Sequence, residues 1–466
     1  MDVPARNVQL TWIVSHLGLI VGFIFGMAAI AHMLRQRRSP SGTIAWVLAI
    51  LFLPEIGVPL YLLLSGRKMR RRAAEKNLLR LAGGSVVPLD DASGIDRLMR
   101  KYDLPGATRG NKLDVISNGE DTYAKFVGLI ASAKESIEIA TYVFRPDAVG
   151  RDIVERLAAK ARDGVEVRVL IDSFGSMWVR RSHLRGLIEA GGRVSFFMPL
   201  MRIPWHGRTN LRNHRKIMIV DGLIVMTGGF NIGAEYMGPR PTKGLWEDLA
   251  VVIEGPAVDH FEYIFKSDWE FANGEPFRRV VVDHGARGDA VLQVVPSGPD
   301  TDGDPIYDGV MTAAFNAQER LWVVTPYFVP DEALSKSLEL AAHRGVDVRI
   351  IVPRKSNHWT ADLARLSYLR DLQHAGGRIF LHGGPMMHAK ALLLDHDLAV
   401  VASANMDMRS LLLNYEVAVL IHSHDEIEVL NRWAERLIGE SAEGLEQVNT
   451  FQEVGHSIVR MISPIL

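Results

Sequence analysis

Two histidines in this chain sit in the same small constellation. "NHRKIMIVDG" (213–222) carries His214, Lys216 and Asp221, and "MHAKALLLDH" (387–396) carries His388, Lys390 and Asp395. The three positions superpose at one constant offset, and Asn231 falls on Asn405 at that same offset. Further on, Asp248 in "WEDLAVVI" aligns with Glu416 in "NYEVAVLI", with a few residues fewer between in the second copy. One such run alone says little. His214 and Lys216 are two apart and share one face of a strand, while Ile217 to Val220 read as its buried interior. A duplicated core strand would preserve apolarity. It has no reason to preserve histidine, lysine, asparagine and an acid in register, so the pattern reads as a duplicated catalytic half-site.

If the halves face each other about a pseudo-two-fold axis, one site holds two histidines, two lysines, two asparagines and two acids. Neutral imidazole is a nucleophile near pH 7 and imidazolium is a general acid there, the pairing that a double displacement at phosphorus requires. Lysine ammonium groups and asparagine amides are donors for the non-bridging oxygens of a phosphodiester, whose charge must be held in the transition state. An acid on the other ring nitrogen would fix each tautomer and raise its basicity. Two metal ions would need a carboxylate-rich first shell, and the two lysines argue against them. The expectation is metal-independent phosphoryl transfer through a phosphohistidine, with no cofactor.

The elements that must position these groups are themselves repeated. "KESIEIATYVFRPD" (134–147) recurs as "QERLWVVTPYFVPD" (318–331), and "LAAKARDGVEVRVLI" (157–171) as "LELAAHRGVDVRIIV" (338–352). The latter pair reads as a helix, a glycine turn and a strand. The fold class is therefore α/β, with two tandem repeats expected over 113–284 and 285–466 as a pseudo-two-fold pair.

At 466 residues the chain is long enough for two or more domains, and its net charge of −1 argues against nucleic acid as a partner. It has no cysteine, which excludes disulfides, thiol nucleophiles and cysteine-ligated metals. Residues 1–66 differ in kind. Thr11 to Leu34 carries no formal charge, a run long enough to cross a hydrocarbon core of about 30 Å, and 42–66 is similarly apolar although it contains Pro54, Glu55 and Pro59. We expect an N-terminal membrane hairpin, with the second segment either spanning or re-entrant. The larger basic cluster, Arg67 to Arg72, opens a polar connector (67–112) and places the bulk of the chain in the cytoplasm.

"HRKIMIVD" and "HAKALLLD" resemble the H-x-K-x4-D motifs of the phospholipase D superfamily, and "GGFN" (228–231) and "ASAN" (402–405) resemble its G-[GS]-x-N. Ala402 departs by one methyl group from the usual glycine. Within the superfamily the chain is similar over nearly all its length to the bacterial cardiolipin synthases, through "AWVLAILFLPEIGVPLYLLLSG", "TPYFVPD", "RGVDVRIIVPRKSN" and "NMDMRSLLLNYE". That resemblance implies transfer of a phosphatidyl group from one phosphatidylglycerol to another with release of glycerol. It implies a catalytic set of His214, Lys216, Asp221, His388, Lys390 and Asp395, supported at the phosphate by Asn231, Asn405, Asp248 and Glu416. It favours His214 as nucleophile, and it places the protein in the bacterial cytoplasmic membrane with phospholipid as its partner. The alternative is a membrane-anchored phospholipase D that passes the same group to water or another alcohol. "RVSFFMPLMRIPWHGR" (193–208) and the C-terminal "SIVRMISPIL" are candidate interfacial segments.

Overall fold

The computed structural model describes residues 94–199, 211–241, 244–277 and 284–445 without interruption, and parts of 26–61 and 76–81. The chain divides into an N-terminal unit, mainly residues 1–72, and a larger unit that begins at Ala73. In the first unit the predicted second segment forms a helix, Pro40–Phe52, where Ile50 is buried and Trp46 meets Tyr61 edge-on at 5.7 Å. The predicted first segment, 11–34, lies largely outside the described residues. No described helix is long and apolar enough to cross a membrane. Most of 193–208 beyond Phe197 and all of 457–466 also lie outside the described residues.

The larger unit is built on β-branched runs that alternate with amphipathic helices. In the first half the strands are β1 (Thr108–Ile116), β2 (Ser136–Thr141), β3 (Glu166–Asp172), β4 (Arg193–Phe197), β5 (Ile217–Val220), β6 (Ile224–Gly228) and β7 (Ala250–Glu254). The second half supplies β8 (Ala290–Ser297), β9 (Arg320–Val324), β10 (Phe328–Val329), β11 (Asp347–Pro353), β12 (Arg378–His382), β13 (Ala391–Leu394), β14 (Leu398–Ala402), β15 (Met406–Asp407), β16 (Glu416–Ile421) and β17 (Ser441–Glu443). All but β10 and β15 join one sheet, in the order β17-β12-β11-β9-β13-β14-β16-β8-β1-β7-β6-β5-β2-β3-β4. Read outward from the central antiparallel pair β8 and β1, the two sides match strand for strand, apart from the terminal β17. The pseudo-two-fold is thus written into the pairing order. The boundary expected at residue 113 is corrected: it cuts β1, which begins at Thr108 and pairs with both β7 and β8.

Each half has a parallel trio (β2, β3, β4 and β9, β11, β12) joined by crossover helices such as Ala148–Arg162 and Glu332–His343. Helices cover these strands on both faces, so β5 and β13 read as unbroken apolar runs and every residue in them is buried. Burial of the first half's core, from Phe126 and Ile130 on one helix to Val169 and Ile171 on β3, fixes where β5 must lie. That in turn fixes the residues just ahead of it.

Candidate active site

His214 and Lys216 lie immediately before β5, and His388 and Lys390 immediately before β13. Both are delivered to one place because the halves exchange backbone there. The N–H of His214 donates to the Tyr415 carbonyl at 2.9 Å, and the N–H of His388 donates to the Glu247 carbonyl at 2.7 Å. Tyr415 and Glu247 directly precede the two acids, so each histidine meets the acid of the opposite repeat. Nδ1 of His214 lies 2.9 and 3.0 Å from the two carboxylate oxygens of Glu416, and Nδ1 of His388 lies 2.6 Å from Oδ2 of Asp248. All four side chains are buried. A carboxylate at Nδ1 holds the proton there and aims Nε2 outward as the reactive nitrogen.

The lysines are equally buried but differently engaged. Lys216 Nζ donates to its own motif's His214 carbonyl at 2.7 Å. Lys390 Nζ donates to the His388 carbonyl and also sits 2.9 Å from Nδ1 and 3.1 Å from Nε2 of the His388 ring. Burial drives both ammonium groups down, Lys216 to about 7 and Lys390 to about 8, against the pull of Glu416 and Asp248. Burial also lowers the imidazoles, with the neighbouring lysines adding to it, to about 4 for His214 and about 3 for His388. For Asp248 and Glu416 burial acts upward, but the facing histidine and lysines outweigh it and both carboxyls stay below their ordinary range. The resting site therefore holds two neutral imidazoles, two carboxylates and two cations that lose their charge near neutrality. An anion placed among these groups would raise the proton affinity of the imidazoles.

Aromatic walls complete the pocket. Tyr142 stands edge-on to His214 at 4.7 Å, and Tyr236 and Trp246 each lie 5.3 Å from the His388 ring. Asn231 accepts the Val143 N–H at 3.1 Å and hydrogen-bonds Tyr236, while Asn405 donates to Ser410 Oγ at 3.3 Å. Ser403 donates to Glu416 and accepts the Val417 N–H. Its counterpart is Gly229, where an added Cβ would meet the Asp248 carboxylate at 2.1 Å. The shorter acid thus needs glycine beside it, and the longer one takes serine as a donor.

Asp221 and Asp395, expected as catalytic residues, are not brought together with the histidines. Each begins the hairpin turn at the far end of its four-residue strand, about 13 Å along the strand direction from the lysine end. Both have left-handed backbones, φ 52° and 46°, which aspartate tolerates better than most side chains. Asp221 accepts the N–H groups of Lys134, Glu135 and Ser136, and Asp395 those of Gln318, Glu319 and Arg320. They tie the β5 and β13 hairpins to β2 and β9. The four residues between lysine and aspartate in the motif are the strand itself.

Behind His214 lies a feature with no counterpart in the second copy, where Ala389 replaces Arg215. Arg215 is wholly buried, reaching Asp268 at 2.8 Å, Asp300 at 2.9 Å and the Glu416 carbonyl at 3.0 Å. Lys76, from the connector, joins both aspartates, 2.6 Å from Asp300. Asn213 donates to Asp268 at 2.9 Å, so two positive and two negative charges clamp the residues on either side of His214. Motif spacing alone could not find Asp268 or Asp300, because neither lies in the stretches whose sequence recurs.

Comparisons agree with this geometry. The family described as cardiolipin synthase, phospholipase D-like domain matches residues 126–269 and 311–438, and a phospholipase D-nuclease N-terminal family matches 20–66. The chain is 32% identical to the major cardiolipin synthase of Bacillus subtilis, over 97% of this chain and 100% of that one. It is 32% identical to cardiolipin synthase A of Pseudomonas syringae over 96% and 98%. A crystal structure of phosphatidylserine synthase from Haemophilus influenzae shares the fold with a TM-score of 0.58 at 14% identity, covering 85% of this chain and all of that one. With two motif-bearing halves closing on one buried pair of histidines, the chain belongs to the cardiolipin synthase family of phospholipase D-like enzymes.

Proposed function

We propose that the protein is a phosphatidyltransferase that makes cardiolipin and glycerol from two molecules of phosphatidylglycerol. The observation that carries this reading is the reciprocal pairing of each buried histidine with the acid of the other half, beside two buried lysines. His214 Nε2 attacks phosphorus as His388 passes a proton to the departing glycerol oxygen, leaving a phosphatidyl group on His214. His388 then takes the proton of the second phosphatidylglycerol's hydroxyl as that oxygen attacks, and the His214–phosphorus bond breaks. Lys216 and Lys390 offset the charge on the non-bridging oxygens. The order of the histidines follows the resemblance of the first motif to that of the superfamily, since both lysines donate to the backbone carbonyl of their own histidine.

The site's residues act without metal or cofactor in this scheme. The N-terminal segments anchor the protein in the bacterial cytoplasmic membrane, with the catalytic unit on the cytoplasmic side and phospholipid as its partner. Purified protein given phosphatidylglycerol alone should yield cardiolipin and equimolar glycerol by mass spectrometry. Phosphatidic acid as the main product would instead assign a hydrolase.

A further inference from the structure

The two halves share one more equivalence, outside the motifs. When Asp347 of β11 is laid on Glu166 of β3, Trp359 falls on Trp178. Trp178 sits in the turn that follows its strand and Trp359 opens the helix Trp359–His374 after its own, and each is largely in solvent, 67% exposed at Trp178 and 73% at Trp359. Phe174 and Met177 are exposed beside the first. The loops are also one-signed: residues 173–185 carry Arg180, Arg181 and Arg185, and 354–359 carry Arg354 and Lys355, all exposed, with no aspartate or glutamate in either stretch.

Each loop adjoins its own half-site. The Phe174 ring lies 5.0 Å from the guanidinium of Arg212, two residues before His214, and Ser176 donates to the carbonyl of Tyr142, whose ring faces His214. In the other half Tyr327, just beyond β9, bonds Asn357 and meets the His358 ring at 5.3 Å. The pseudo-two-fold that brings the histidines together also relates the loops. They therefore occupy equivalent positions in the two halves, each at the end of its half of the sheet that carries the histidine.

We propose that Trp178 and Trp359 seat the catalytic mouth in the interface of an anionic bilayer. Indole places an apolar body among acyl chains and its N–H among headgroups, while the flanking arginines and lysine meet lipid phosphates. Substrate phosphates then reach the histidines without their acyl chains leaving the lipid. A bilayer suits the surface better than a protein does, since an exposed tryptophan with basic residues nearby stands on each side of a site for lipid. The inference rests on the phosphatidyl-transfer reading.

The chain has no cysteine, so single labels are unambiguous. In full-length His214→Ala protein, which leaves the lipid unconverted, nitroxide is placed at Met177→Cys, at His358→Cys and, as a reference, at His343→Cys. His343 is exposed and precedes β11, at the opposite end of that strand from Trp359. After reconstitution in vesicles of phosphatidylglycerol and phosphatidylcholine, collision with oxygen relative to an aqueous nickel complex should be severalfold higher at 177 and 358 than at 343. Adding Trp178→Ser with Trp359→Ser should bring both sites back to the reference. Water-like accessibility at either site in the protein that retains both tryptophans overturns the proposal. The readout needs no turnover: lipid-like labels in a protein whose parent makes no cardiolipin would keep the docking surface and remove the transfer reading.

Discussion

Replacing Glu416 by glutamine keeps the shape behind His214 and removes its charge. The carboxylate touches Nδ1 at 2.9 and 3.0 Å with no exposure to water. As phosphorus bonds to Nε2, positive charge spreads over the ring. A full charge pair about 4 Å apart at an effective dielectric near 20 is worth about 4 kcal/mol. Each 1.36 kcal/mol is about a decade in rate, which sets a ceiling near a thousandfold. Lys216 and Ser403 still face the amide, so the expected loss in kcat is about a hundred- to a thousandfold, with KM little changed. The assay is cardiolipin formation from phosphatidylglycerol in mixed micelles, paired with trapping of labelled phosphatidyl adduct. Although Glu416 lies in the second repeat, its loss should suppress the adduct on His214. Asp248→Asn, which disarms His388, should let adduct form and slow its breakdown. A loss under about tenfold in Glu416→Gln would refute the charge argument, and adduct patterns reversed between the two variants would refute the assignment of nucleophile.

Both Lys216 and Lys390 lose their protons as pH rises through about 7 to 8. The kcat/KM profile should accordingly fall on its alkaline side there, and Lys216→Arg should move that limb upward. The His214 imidazole, lowered to about 4 by burial, should leave the acid limb below the ordinary histidine range. Asp221→Asn should keep kcat within about twofold while costing roughly 1–3 kcal/mol of stability in denaturant unfolding, since it weakens three hydrogen bonds to a charged acceptor. Its folded carboxyl is held below the usual value: burial pushes up, and the backbone donors outweigh it. The stabilisation is thus present above the unfolded pKa and lost as pH falls through the folded one, and the variant should lose that acid-side dependence. Activity should survive prolonged chelation, measured on lipid whose surface charge is held constant. A chain starting at Ala73 should fold, bind membranes more weakly and retain turnover in detergent, read by circular dichroism, vesicle flotation and product analysis.

How much of this was legible depends on whether a signal is local. The alternation around β2, β3, β9 and β11 and their recurrence point to two α/β halves, because burying apolar β-branched runs leaves few other options. His214, Lys216, His388 and Lys390 were equally readable, being fixed by a strand that starts one residue later. Asp221 shows the opposite case. A carboxylate at constant spacing looks like chemistry, yet that constancy comes from a strand length and from a turn that accepts aspartate at positive φ. Which acid serves which histidine was not readable at all. Asp248 and Glu416 each lie nearer in sequence to the wrong partner, and only closure of the two halves, with Tyr415 and Glu247 lending their carbonyls, decides the pairing. The charges around Arg215 come from a connector, a helix and a loop that share no pattern.

That cluster has a consequence for the order of assembly. Lys76 is synthesised before any strand of the large unit, yet one of its two partners, Asp300, follows β8 at the opening of the second repeat. A ribosome that has finished the first repeat has made Arg215 and Asp268 but not the residue that closes the ring. Until it does, an arginine meant for complete burial keeps its hydration, and the peptide around His214 has only half its anchors. The peptide around His214 is therefore fully anchored only after the opposite repeat has arrived, so a chain broken between the halves carries an intact motif without its full set of partners.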